Sequence, residues 1–172
     1  MPHSLQTIFV LLYISEYSLY EPITYLAQHL GFTVRNEVPV PNTNAHIKGD
    51  KPRIDFVFQY KNENKTLCII NEVKFYKKKS KSYNFDKDIN KIFYYHKSLL
   101  KSKNVKSNAS LFQFFGCLTI VAHNTSSFEK KLKDKTFENH LATLRFPCTS
   151  EDSDTMPKTG WQVTTLFFPL NS

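Results

Sequence analysis

An α/β fold, with a mixed central sheet flanked by helices, is predicted by three features of the sequence. Runs with the two-residue period of strands alternate with segments whose apolar residues recur at helical spacing. The most apolar run, Leu111–Ala122, has no polar face and suits a strand covered on both sides, central and parallel to a neighbour. The chain's 172 residues, 41% hydrophobic and 15% aromatic, can build one well-filled core and exclude a disordered tail. A single domain spanning residues 1–172 is expected, with no internal repeat.

Ser4–Ile14 and Ser18–Leu30 read as helices. Ser18-Leu-Tyr-Glu21 fits a capping box, Pro22 is tolerated in a first turn, and Gly31 is a natural stop. Ile23, Leu26, Ala27 and Leu30 recur at helical spacing and are expected to pack on the sheet. Phe32–Val40 alternates as a first strand, with Pro39 and Pro41 marking an edge or an end. Arg53–Tyr60 alternates so that Ile54, Phe56, Phe58 and Tyr60 share one face and Asp55 points the other way, beside Val57. After the polar turn Lys61–Lys65, Leu67-Cys-Ile-Ile70 is a short buried run that continues into Asn71-Glu-Val-Lys74. Phe75–Phe85 is a basic loop with interleaved aromatics, and Asp86–Lys101 a helix with Asp86 as its N-cap. Ser127–Leu144 reads as a charged amphipathic helix, Phe146–Gly160 as a loop and Trp161–Phe168 as a last strand.

The central hairpin carries carboxylates that a core hairpin does not otherwise need. Side chains two apart on a strand share a face, so Glu72 and Lys74 project together, and Asp55 on the neighbouring strand can reach the same spot. Asp55, followed seventeen positions later by Glu72-Val73-Lys74, resembles the signature of the PD-(D/E)XK nuclease superfamily. The same acid-x-lysine triplet occurs at Glu63–Lys65 and Glu129–Lys131, but only Glu72 follows an apolar strand preceded by an Asp-bearing one. The order helix, three strands, helix, strand between about Ser18 and Ala122 also resembles that superfamily's restriction-endonuclease-like αβββαβ core. A C-terminal helix and strand would follow it.

That resemblance implies a metal-dependent endonuclease acting on DNA. Asp55, Glu72 and the backbone carbonyl of Val73 would hold Mg²⁺, with Mn²⁺ able to substitute, because such hard cations prefer oxygen ligands. Lys74 would orient the attacking water or offset charge in the transition state. The family places an acidic residue on its first helix, for which Glu21 is the candidate and Glu16 the substitute. A polar residue of the second helix near the site would be Lys91.

Charge placement agrees with a polyanionic partner. The formal charge is +8, and the stretch Lys74–Lys106 holds eleven Lys against two Asp, leaving the remainder at −1. Lys77, Lys78, Lys79, Lys81 and Lys91 are the expected nucleic-acid contacts, and the scarcity of Arg favours contact with the phosphate backbone over base readout. The rivals are an RNA endonuclease on the same fold and a non-catalytic nucleic-acid-binding protein on this scaffold. If the triplet were chance, Glu72 and Lys74 would be exposed and out of reach of Asp55. Symmetric duplex cleavage would favour a homodimer. Cys68, Cys117 and Cys148 lack zinc spacing, and no secretory signal or membrane-length apolar run is evident. A cytoplasmic, intracellular protein is expected.

Overall fold

The computed structural model describes residues 16–40, 52–76, 80, 83–102, 105, 108–123, 126–134, 142–148 and 161–170. After a 3₁₀ turn at Glu16–Leu19 come α1 (Tyr20–His29), β1 (Thr33–Pro39), β2 (Arg53–Lys61) and β3 (Thr66–Phe75). Then follow α2 (Asp86–Leu100), β4 (Phe112–His123), α3 (Ser126–Asp134), β5 (Ala142–Cys148) and β6 (Trp161–Pro169). The six strands form one mixed sheet in the order β1-β2-β3-β4-β6-β5. β1, β2 and β3 pair antiparallel, whereas β3 and β4 run parallel, the crossover between them being α2. β6 pairs antiparallel with both β4 and β5.

The larger core lies between the sheet and the helices α2 and α3. Ile89, Ile92 and Tyr95 of α2 and Phe128 and Leu132 of α3 meet Cys68, Ile70, Leu118 and Ile120 of the two central strands. The opposite side of β2 and β3 packs under α1, where Phe56, Phe58 and Val73 are buried against Tyr20, Ile23 and Ala27. Pro39 is the last residue of the edge strand β1, in register with Arg53, a position where a residue without an N–H is tolerated.

Several expectations are corrected in detail. Leu26 and Leu30 do not pack on the sheet; they are 53% and 70% exposed, because Tyr20, Ile23 and Ala27 form the inward stripe. The cap of α1 is Leu19, with no side-chain cap bond, so Ser18 forms no capping box. Phe85, not Asp86, caps α2, and Asp86 sits in its first turn. Gly31 does end α1: it adopts a left-handed φ of 84° while the amides of Gly31 and Phe32 donate to the carbonyls of Gln28 and Ala27. The C-terminal part is a helix and two strands, not a helix and one. α3 extends to Asp134, and the stretch expected to continue it to Leu144 and then loop instead forms β5 over Ala142–Cys148, paired with β6. The expected helix at Ser4–Ile14 lies outside the described residues. No helix among the described residues is long and apolar enough to cross a membrane.

Candidate active site

The site begins where the sheet stops following its own pattern. The β2–β3 ladder runs from Lys61↔Thr66 to Phe56↔Asn71, and the next step would set Asp55 against Glu72. There the carboxylates replace the backbone bonds. The Asp55 amide donates to Glu72 Oε1 at 3.2 Å, and the Val73 amide donates to Asp55 Oδ2 at 2.7 Å. Two amides left without carbonyl partners are thereby satisfied by charged acceptors, which make the stronger bonds. The departure also ends the strict alternation of β2. Phe56 and Phe58 face α1 as a pair, but Ile54 joins Val57 in the core on the α2 side, so the expected common face of Ile54 and Phe56 is not formed.

The other flank of Asp55 is interrupted at the same level. β1 pairs Asn36 with Phe56 and Val38 with Ile54 but skips Glu37, the residue in register with Asp55. Glu37 has φ of 51°, the only positive value for a non-glycine among the described residues. A glutamate in this left-handed region stores on the order of 1–3 kcal/mol of strain. By register, Glu37, Asp55 and Glu72 form a transverse row across β1, β2 and β3.

Tyr20, the first residue of α1, closes the row from the α1 side. Its phenol oxygen lies 2.6 Å from Asp55 Oδ1 and 2.9 Å from Glu37 Oε1, and its ring packs on Phe56 with centroids 4.6 Å apart. Burial and then the two carboxylates raise its pKa far above that of free tyrosine, so the phenol keeps its proton and acts as a donor.

From the opposite side α2 delivers a cation and an anion one turn apart. The Lys91 ammonium pairs with Glu72 Oε2, while Asp88 Oδ2 lies 3.6 Å from Lys74 Nζ. Glu72 and Lys74 on one face of β3 thus meet Lys91 and Asp88 in two parallel ion pairs. Glu72 is 2% exposed and Asp55 7%. Burial first, and the Asp55 charge second, push Glu72 up to about 8, against the downward pull of Lys91. Burial works to lower Lys91, but Glu72, Asp55 and Asp88 together outweigh it and hold the ammonium above its ordinary value. Lys91 stays charged and Glu72 binds a proton more tightly than an exposed carboxylate, so the ion pair is complete only above about pH 8.

The structure therefore brings Asp55 and Glu72 together, with Lys74 on the same face of β3 as Glu72 and paired with Asp88. Glu21 is exposed on the outside of α1, and the residue of that helix that reaches Asp55 is its neighbour Tyr20. Glu16 lies in the 3₁₀ turn before α1. Lys91, expected to contact nucleic acid, turns inward to Glu72. Lys77, Lys78, Lys79 and Lys81 lie outside the described residues. Sequence reasoning missed Tyr20, Glu37 and Asp88. Asp88 and Lys91 are three apart on the helix face that also holds Ile89 and Ile92, a spacing visible in the sequence; nothing in the sequence marks Glu37.

Each of the four carboxylate oxygens of Asp55 and Glu72 already meets a protein donor. A carboxylate oxygen has two lone pairs, so the amide bonds still leave room for a cation, but the Lys91 ammonium would compete with one for Glu72 Oε2. Among the described residues no group of three or more His, Cys, Asp or Glu forms a ready metal cage. The donor set fits a hard cation that keeps most of its waters better than a fully protein-ligated one. The open hollow at Lys61–Asn64 lies at the far end of the hairpin and carries none of these groups. Comparison of the chain with family models, with curated proteins and with solved structures gives no match.

Proposed function

We propose that the chain is a metal-dependent endonuclease of PD-(D/E)XK type acting on DNA. One observation carries this reading: Asp55 and Glu72, on adjacent strands, are buried and held together where their ladder opens, with Lys74 two residues on. A chance triplet would leave Glu72 and Lys74 exposed and out of reach of Asp55; Glu72 is instead buried and accepts the Asp55 amide at 3.2 Å, while Lys74 is 34% exposed and paired with Asp88. Burying two carboxylates side by side costs stability that a purely structural hairpin avoids with apolar residues. The order α1-β1-β2-β3-α2-β4, antiparallel until the crossover to β4, supports the restriction-endonuclease-like core as part of the proposal.

In this reading Asp55, Glu72 and the Val73 carbonyl hold Mg²⁺ or Mn²⁺, which when bound polarises a phosphoryl oxygen and acidifies a water. Lys74 is 34% exposed, which leaves its ammonium free to reach a phosphate or to orient that water. Asp88 holds it in place until then. The exposed Lys87, Lys97 and Lys101 of α2 offer backbone-phosphate contacts on the same basic stretch.

The test is calorimetric titration of Mg²⁺ and Mn²⁺ into wild type, Asp55→Ala, Glu72→Ala and Lys74→Ala, with plasmid nicking scored in parallel. Each variant should lose at least about a hundredfold in cleavage, the scale for removing one preorganised electrostatic group. The two carboxylate variants should also lose cation binding. Normal cutting by any of the three defeats the assignment. Competition between duplex DNA and single-stranded RNA decides the substrate. The parallel ion pairs favour a second reading, a charge clamp between β3 and α2 on a non-catalytic nucleic-acid-binding scaffold. Nucleic-acid binding with no nicking and no cation response would establish that one.

A further inference from the structure

We infer that Tyr20, steered by Glu37, is a positioning residue for Asp55, an inference that rests on the metal-dependent reading above. Asp55 is gripped at both oxygens: the Val73 amide holds Oδ2 and the Tyr20 phenol holds Oδ1. Those two donors come from different elements, one from β3 and one from α1, so together they fix the plane of the carboxylate. A cation held by Asp55 would use Oδ1, the oxygen that lacks a backbone donor. The phenol has one proton, and two carboxylate oxygens lie within its reach, at 2.6 Å and 2.9 Å. It donates to Asp55 at rest, the shorter of the two contacts. When Oδ1 is drawn away, the proton turns to Glu37 Oε1 without the phenol leaving its place on Phe56.

Glu37 thereby spares the half-buried phenol an unpaired donor when Asp55 engages a cation. This gives the left-handed backbone at Glu37 a purpose. A regular strand residue opposite Asp55 would join the ladder, whereas the kink leaves Glu37 out of the pairing and its carboxylate beside Tyr20. The nuclease signature does not require either residue. Both act through Asp55 by supporting a ligand from behind, a kind of contact whose loss typically lowers metal affinity about ten- to a hundredfold.

Four variants test this: Tyr20→Phe, Glu37→Asn, Glu37→Gln and the double variant Tyr20→Phe/Glu37→Asn. Mn²⁺ affinity is read by calorimetry, nicking by kcat and KM, and folding by thermal unfolding of the metal-free protein. Phe keeps the ring on Phe56, and Asn tolerates the left-handed backbone but is one methylene too short to reach the phenol. Tyr20→Phe and Glu37→Asn should each weaken Mn²⁺ binding about tenfold while the protein stays folded. Glu37→Gln, long enough to accept the proton, should stay close to wild type. The double variant should lose no more than Tyr20→Phe alone, because Glu37 acts only through the phenol. Wild-type Mn²⁺ affinity in Glu37→Asn, or losses that add in the double variant, overturns the inference and leaves the nuclease reading standing. A wild-type protein that binds neither Mn²⁺ nor Mg²⁺ overturns both.

Discussion

β3 has two very different edges. Toward β4 its register is continuous from Thr66↔Phe112 to Phe75↔Val121, and Glu72 takes its ordinary place opposite Leu118. Toward β2 the backbone pairing stops at Asn71, and from there the side chains of Asp55 and Glu72 carry the contact. The same residue is thus a plain ladder member on one side and a replacement for the ladder on the other. The β4 side, with Leu118 and Ile120 fully buried, gains stability from apolar burial and an unbroken backbone ladder. The β2 side buries two carboxylates within hydrogen-bond reach of each other's strand, which costs stability unless counter-charges offset it. The rigid edge anchors the backbone of Glu72, and the irregular edge presents its carboxylate. Local departure from regular pairing beside a well-formed ladder is where a fold can carry chemistry.

The largest expected effect breaks the irregular edge. Lys91→Met leaves Glu72 buried beside Asp55 with no counter-charge. The full cost of removing one partner of such a pair, about 3–5 kcal/mol, is expected above about pH 8, and less of it below, where Glu72 can take up a proton. Glu72→Gln should cost less, because Lys91, with its side chain 24% exposed, can still reach water. Urea unfolding of the two variants measures this asymmetry; equal stabilities would show that the pair opens freely in solution. Removing Lys91 also removes the internal rival at Glu72 Oε2, so Mn²⁺ should stabilise Lys91→Met by more than it stabilises wild type.

A smaller effect probes the regular edge. An added Cβ at Gly116 would overlap Cε2 of Phe168, which is buried and stacked on Phe93. Gly116→Ala therefore has to displace a packed ring, an overpacking cost of about 1–3 kcal/mol. Cation binding at Asp55 and Glu72 should be unchanged, since Gly116 pairs with Ile70, two positions before Glu72, and β4 reaches the site only across packed elements, the β3 ladder and α2. A loss of Mn²⁺ affinity in Gly116→Ala would mean that the two edges are mechanically coupled.

The regular edge was also the legible one. The apolar run of β4, the alternation of β2 and β6 and the helical spacing of α2 are local patterns, and each element formed where its pattern predicted. β5 escaped because Leu144 falls at helical spacing after Phe128 and Leu132, while the strand it joins exists only by pairing with β6. At the site, Asp55, Glu72 and Lys74 could be found because their spacing lies within one hairpin. Tyr20 and Glu37 could not, because they reach Asp55 across 35 positions for the tyrosine and through a β1 register that periodicity does not encode. Glu21 is exposed, whereas Tyr20, one residue before it and so about 100° around the helix, turns inward to Asp55.

The smallest effect compares a buried ionisable group that has partners with one that has none. Glu72 is surrounded by charge, whereas His96 of α2 is buried against Phe114, and its Nε2 has no hydrogen-bond partner among the described residues. Burial lowers the His96 pKa below its ordinary 6.5. The folded protein then resists a proton that the unfolded chain accepts. Stability contributed by this neutral histidine is complete above about pH 6.5 and is lost as pH falls below it, by at most about 1.4 kcal/mol per pH unit. His96→Leu keeps an apolar contact with Phe114 and removes the proton uptake. Its unfolding free energy should decline less steeply than that of wild type between about pH 6.5 and pH 5. Parallel pH profiles would mean that His96 takes up its proton in the folded state, and that water reaches the core beside Phe114.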